Sequence, residues 1–234
     1  MRRTVDETLQ AEIEEAIIKF CILIARNPMC YFSEADLQQV LLEHLRSIPK
    51  LDKLHKTNQT AGKNSKKKYR TSLLHREYGG GNKTRFDIAV LRRDDVAKID
   101  SPALKLNDKY LTPAFGFELG TEKTSKIMQH YQNDLKKLRK CDRGYLIHIF
   151  KDVTTTRKNT GRNANTEAAI QQKFKSVFEK HPAKGNTVVI AILLRPFKNE
   201  RTPRGKLEIF DGRVWQPVNV GSKPKIRKAI RELL

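Results

Sequence analysis

The chain has 234 residues, 38% of them apolar, and carries 47 Lys plus Arg against 26 Asp plus Glu, a formal charge of +21. That length sustains one sizeable core, and the apolar residues cluster into periodic segments, which argues against global disorder. The basic excess points to a polyanionic partner, nucleic acid first of all.

Three cysteines, Cys21, Cys30 and Cys141, lack metal-ligand spacing. They fit small buried hydrophobes in a reducing interior better than a disulfide framework. Phe20 to Ala25 is too short to span a bilayer and follows an acidic helix instead of a positive leader. The expectation is an intracellular protein, cytoplasmic or nucleoid-associated, with no membrane partner.

In chain order, residues 4–26 predict an amphipathic helix, with Leu9, Ile13, Ile17, Phe20 and Ile24 at helical spacing. Asn27-Pro28 stops it. Ser33-Glu34-Ala35-Asp36 resembles a capping box for a second helix, 33–48, which carries Glu43 and His44 on what reads as a solvated face. From Lys50 to Arg70 there are eight Lys or Arg and one acid, Asp52. This span reads as an exposed loop, with Lys66, Lys67, Lys68 and Arg70 as candidate phosphate contacts.

Residues 69–78 predict a strand and 85–91 another, forming a hairpin about a turn at Gly79–Asn82. The glycine run opens no helix and lacks the Lys-Ser/Thr of a phosphate loop. Residues 92–112 are charged and irregular and read as an insertion. Strand 114–120 follows, then a helix over 124–140 capped by Thr124 or Ser125, with Ile127, Tyr131, Leu135 and Leu138 as its buried stripe.

Residues 143–150 form the continuous apolar run of a strand covered on both faces, and His148 within it reads as a core histidine. Residues 152–166 form a second basic loop, offering Arg157, Lys158 and Arg162 to phosphate. A helix over 166–181, a strand over 187–194, its hairpin partner over 207–215 and a basic helix over 223–234 complete the chain. The pattern is α/β: one domain over 1–234 with a central mixed sheet flanked by helices. Within it, 1–49 is a helical N-terminal part, 50–70 a basic loop, 69–150 the candidate catalytic core and 151–234 a C-terminal extension.

Two strands each contain one carboxylate: Asp87 in Arg-Phe-Asp-Ile-Ala-Val-Leu and Glu118 in Phe-Gly-Phe-Glu-Leu-Gly. Strand interiors disfavour acids, and a buried carboxylate costs several kcal/mol without compensation. If the strands are neighbours, the carboxylates converge, and one must protonate unless a cation lies between them. Two carboxylates and a backbone carbonyl are hard oxygen donors that suit Mg²⁺ or Mn²⁺. The alternative is a pair of structural ion pairs, Asp87 with Arg85 or Arg92 and Glu118 with a lysine of helix 124–140.

These residues resemble the PD-(D/E)XK, or restriction-endonuclease-like, nuclease superfamily over roughly 33–150. The resemblance implies an αβββαβ core, with Asp87 and Glu118 as metal ligands and the Leu119 carbonyl as a third. It also implies Glu77 as a supporting acid and hydrolysis of phosphodiester bonds with Mg²⁺ or Mn²⁺. The family lysine is absent: Gly120 stands two residues after Glu118, so Lys123 or Lys126 is expected to take its place. The expected partner is nucleic acid, DNA ahead of RNA, and family analogy alone implies a homodimer. Two rival readings are a nucleic-acid-binding module that lost the chemistry and a basic subunit that docks on an acidic protein or ribonucleoprotein.

Overall fold

A computed structural model describes residues 6–28, 31, 33–60, 66–79, 85–100, 105–106, 109–121, 126–151, 166–195 and 206–234. Helix α1 (Glu7–Arg26) starts where the Asp6 side chain accepts the Leu9 N–H, and α2 (Glu34–Arg46) where Ser33 and Asp36 form a full capping box. These two helices therefore fall where periodicity and caps place them, whereas the helix expected over 124–140 begins after Lys126 without a side-chain cap bond, and Thr124 and Ser125 lie outside the described residues.

A short α3 (Pro49–Asp52) leads to β1 (His55–Thr60), which pairs antiparallel with β2 (Lys68–Thr71) as a separate two-stranded sheet. The basic span read as a loop is thus a hairpin. Its alternation was hidden because Thr57 alone among the β1 residues is buried, so neither face shows an apolar period.

The expected strand 69–78 is also two strands. Ser72 donates from its hydroxyl to the Leu51 carbonyl and accepts the Leu74 N–H, and this local turn separates β2 from β3 (Leu74–Tyr78). β3 pairs antiparallel with β4 (Phe86–Val90) as the hairpin reading required, although residues 80–84 of the turn lie outside the described set. The insertion holds a one-turn α4 (Arg93–Val96) and a small β5–β6 hairpin (Lys105–Leu106 with Lys109–Tyr110).

Then come β7 (Phe115–Gly120), α5 (Ile127–Leu138), β8 (Arg143–Lys151), α6 (Glu167–Lys180) and β9 (Thr187–Arg195). The expected single strand 207–215 is β10 (Lys206–Phe210) and β11 (Trp215–Val218). Between them the Asp211 side chain accepts the Arg213 and Val214 N–H groups, and Gly212 supplies φ +94°. Asp-Gly is a hairpin signal that the apolar run obscured. Helix α7 (Lys223–Arg231) closes the described chain.

The central sheet has seven strands in the order β11-β10-β9-β8-β7-β4-β3, parallel from β7 to β9 and antiparallel at both edges. The protein is therefore an α/β fold with a mixed central sheet flanked by helices. On one face Tyr145 of β8 donates to Glu14 of α1, and Arg76 of β3 to Gln38 of α2. On the other, Tyr131 of α5 and Phe174 of α6 pack on His148 and Phe150. His148 is fully buried there, as read from the sequence. Among the described residues, no helix is long and apolar enough to cross a membrane.

A candidate metal and phosphoryl-transfer site

Register places the two acids together. Ile88 lies opposite Phe117, and the β4–β7 ladder runs from there to Val90 opposite Phe115. One step beyond Ile88 the strands carry Asp87 and Glu118, which project on the same face. At that point the ladder gives way to a side chain: the Leu119 N–H donates to Oδ2 of Asp87 at 2.7 Å. A strand residue aims its N–H and C=O towards the same neighbour, so the Leu119 carbonyl faces the same opening.

Glu118 is 2% exposed. Its Oε2 accepts from Nζ of Lys137 at 2.6 Å, while its Oε1 is buried with no hydrogen-bond partner among the described residues. The Lys137 ammonium also ion-pairs with Asp134 at 3.0 Å and donates to the Arg85 carbonyl at 3.2 Å. All three of its donors are therefore engaged.

Asp87, Glu118, Leu119, Asp134 and Lys137 line one cavity of about 600 Å³, with His130, Asn133 and Lys136 from α5, Lys140 just past its end, and Glu34 from α2. Among the described residues no group of three or more His, Cys, Asp or Glu side chains is arranged to hold a metal ion by itself. The donor set is therefore two carboxylates and a carbonyl.

Electrostatics follows from this crowding. Burial pushes the Asp87 carboxyl up to about 6, against the opposing pull of the Leu119 N–H and Lys137. Burial also raises Glu118 well above the carboxylate range, reinforced by the charges of Asp87 and Asp134 and opposed by Lys137. Burial alone would lower Lys137, but the charges of Glu118 and Asp134 outweigh it and hold the ammonium above its ordinary value. Asp87, Glu118 and Asp134 all draw on one ammonium, that of Lys137, so Glu118 keeps a carboxylate oxygen that the lysine does not satisfy. With the orphaned Oε1, this makes the residues fit for a hard divalent ion.

The other expected residues are placed differently. Lys123 lies outside the described residues. Lys126 stands exposed at the N-cap of α5 and does not line the cavity. Glu77 is taken by Arg85 at 2.7 Å and has φ +52°; its charge reaches Asp87 but its side chain does not line the cavity. On α2, Glu34 lines the cavity where Glu43 and His44 do not. Arg85 pairs with Glu77 and Arg92 with Asp95 and Asp142, so neither neutralises Asp87, whereas Glu118 does pair with a lysine of α5.

Lys66, Lys67, Lys68 and Arg70 are exposed on and beside β2; Arg157, Lys158 and Arg162 lie outside the described residues. Sequence reasoning missed Lys137 and Asp134. The available signal was a polar stripe, His130, Asn133, Asp134 and Lys137, at i, i+3, i+4 and i+7 spacing beside the apolar stripe of the same helix.

Compared with protein-family models, curated proteins and solved structures, the chain has no significant match in any of the three.

Proposed function

We propose that this protein is a divalent-metal-dependent nuclease with a restriction-endonuclease-like core, hydrolysing phosphodiester bonds of nucleic acid. The observation that carries the reading is the meeting of Asp87, Glu118 and Lys137 in one cavity, with Oε1 of Glu118 buried and unsatisfied. The succession α2, antiparallel β3–β4–β7, α5 and parallel β8 agrees with the αβββαβ order of that fold. The charge of +21 supports a polyanionic substrate.

Asp87, Oε1 of Glu118 and the Leu119 carbonyl would hold Mg²⁺ or Mn²⁺. When bound, such an ion supplies charge neutralisation at the phosphoryl oxygens and a more acidic water. The chain's own residues do the rest. Leu119 N–H fixes the Asp87 carboxylate in one orientation, and Asp134 holds Lys137 against Glu118. Lys137 thus takes the place left open by Gly120. Of its three contacts, the one to the Arg85 carbonyl is longest, and it is the one an attacking water or a phosphoryl oxygen would replace. Lys136, Lys140 and His130 border the cavity, where they would receive the substrate phosphates.

The Glu118–Lys137 pair also suits a second reading, in which it only neutralises a buried acid in a binding module without chemistry. Incubation with plasmid DNA, single-stranded DNA and RNA in Mg²⁺ or Mn²⁺ separates the two. The nuclease reading expects cleavage that chelation stops and that Asp87→Asn and Glu118→Gln each reduce at least 100-fold. Cleavage that persists in both variants overturns the site, and binding without cleavage in either ion favours the module.

A further inference from the structure

The acidic cavity is not the place where the basic excess is densest. β1 and β2 form a sheet of their own, and the cleft on it is lined by Lys56, Lys66, Lys67, Lys68, Tyr69 and Arg70, without a carboxylate. All six residues are exposed. Lys56 lies opposite Arg70 in the register, so both stand on one face. Lys68 shares that face by alternation and donates to the neutral Asn58 at 3.1 Å. Lys56, Lys66 and Arg70 meet no carboxylate among the described residues.

Cations held side by side on a strand pair repel one another, and Lys56, Lys66 and Arg70 have no carboxylate among the described residues to relieve them. A hairpin with such a face gains from a row of anions and little from an apolar partner. Its position gives this a consequence. β2 runs into β3 at the end of the meander where Leu74 meets Val90, and Val90 meets Phe115. Asp87 and Glu118 lie at the other end. Along β4 these two ends, Val90 and Asp87, are about 10 Å apart, at about 3.3 Å per residue.

We propose that the β1–β2 hairpin is a second, independent nucleic-acid contact, gripping the sugar-phosphate backbone away from the acidic cavity through Lys56, Lys68 and Arg70. It deepens the nuclease reading by requiring a substrate that extends beyond the phosphate being cut, but the contact itself stands without that reading. Its grip follows phosphate charge and is blind to base identity.

The test is a triple variant of exposed residues, Lys56→Gln/Lys68→Gln/Arg70→Gln, checked for an unchanged melting temperature. Binding of a labelled 20-base-pair duplex is followed in EDTA over a range of KCl. The proposal expects binding weakened at least tenfold at about 0.15 M salt. It also expects the slope of log K against log salt to lose about three units, near 0.9 per phosphate contact. A small chromogenic diester such as bis(p-nitrophenyl) phosphate, too small to reach the hairpin from the cavity, should be cut equally by both proteins.

An unchanged slope overturns the proposal, as does a wild-type chain that binds no duplex. So does retention on phosphatidylserine vesicles without duplex binding. Cleavage that survives with an unaltered slope sinks the hairpin contact and leaves the nuclease. Hairpin-dependent binding with no cleavage under any divalent ion does the reverse.

Discussion

Lys137 and Glu118 stand 19 residues apart in the chain and 2.6 Å apart in the fold, the lysine side chain 12% exposed and the glutamate side chain 3%. A crossover from β7 through α5 closes that gap. The pair compensates only half of a buried carboxylate, since Oε1 of Glu118 finds no partner.

Removing the cation should therefore be costly in a pH-dependent way. Lys137→Met leaves Glu118 buried beside Asp87 and Asp134, and about 3 kcal/mol of stability should disappear at pH 8. At pH 5 the loss should be smaller, because Glu118, its pKa raised further by loss of the ammonium, takes up a proton. Urea unfolding at the two pH values measures this, and equal losses would show that Glu118 is not the uncompensated group.

The metal-free protein should lose stability as pH rises through the Asp87 titration. Its folded pKa of about 6 lies above the unfolded value of about 3.9, so the folded state binds more protons in that window. Stability should therefore fall by about 2 kcal/mol from pH 4 to pH 6, with Glu118 extending the fall to higher pH. Asp87→Asn keeps an oxygen for the Leu119 N–H and removes the charge, so it should flatten this part of the curve and stabilise the metal-free chain near pH 7. Thermal melts in EDTA across pH 4–8 are sufficient.

Metal binding should show the opposite trend. Mn²⁺ must displace protons from the raised carboxyls, so its affinity should fall as pH drops below about 6, by about tenfold per pH unit for each carboxyl that gives up a proton. Calorimetry in buffers of differing ionisation enthalpy should register proton release on binding. Glu118→Gln should weaken binding at least tenfold at pH 7.5 while leaving duplex binding in EDTA intact.

Packing behind the site can be tested separately. A Cβ at Gly116 would lie 2.6 Å from Sγ of Cys141, so Gly116→Ala should destabilise by about 2 kcal/mol. Cys141→Ala removes that sulfur, and the double variant should recover part of the loss, the Phe86 ring 3.2 Å away keeping the rest. At Gly144 the added carbon would sit 2.7 Å from Cβ of Leu138. Gly144→Ala should therefore disturb the end of α5 and weaken Mn²⁺ binding as well as stability.

Much of the fold was legible because its signals are local. Ser33 and Asp36 announce α2, and β8 reads as a continuous apolar run because helices cover both its faces. What failed was also local. In β1 and β2 both faces are polar, so a real alternation leaves no hydrophobic trace, and the Ser72 and Asp211 turns each rest on the hydrogen bonds of one side chain hidden within runs that look continuous.

The site divided along the same line. Asp87 and Glu118 are anomalous from sequence alone, because an acid inside a strand conflicts with the burial its neighbours demand. The strongly basic balance is legible there too. Which cation answers the two acids is a property of the fold. On sequence, Lys137 and Asp134 are ordinary charges on a basic helix, no different from Lys126 or Lys136. Their role arises from the register of β4 on β7 and the lie of α5 across both, and these are set by contacts among residues far apart in the chain.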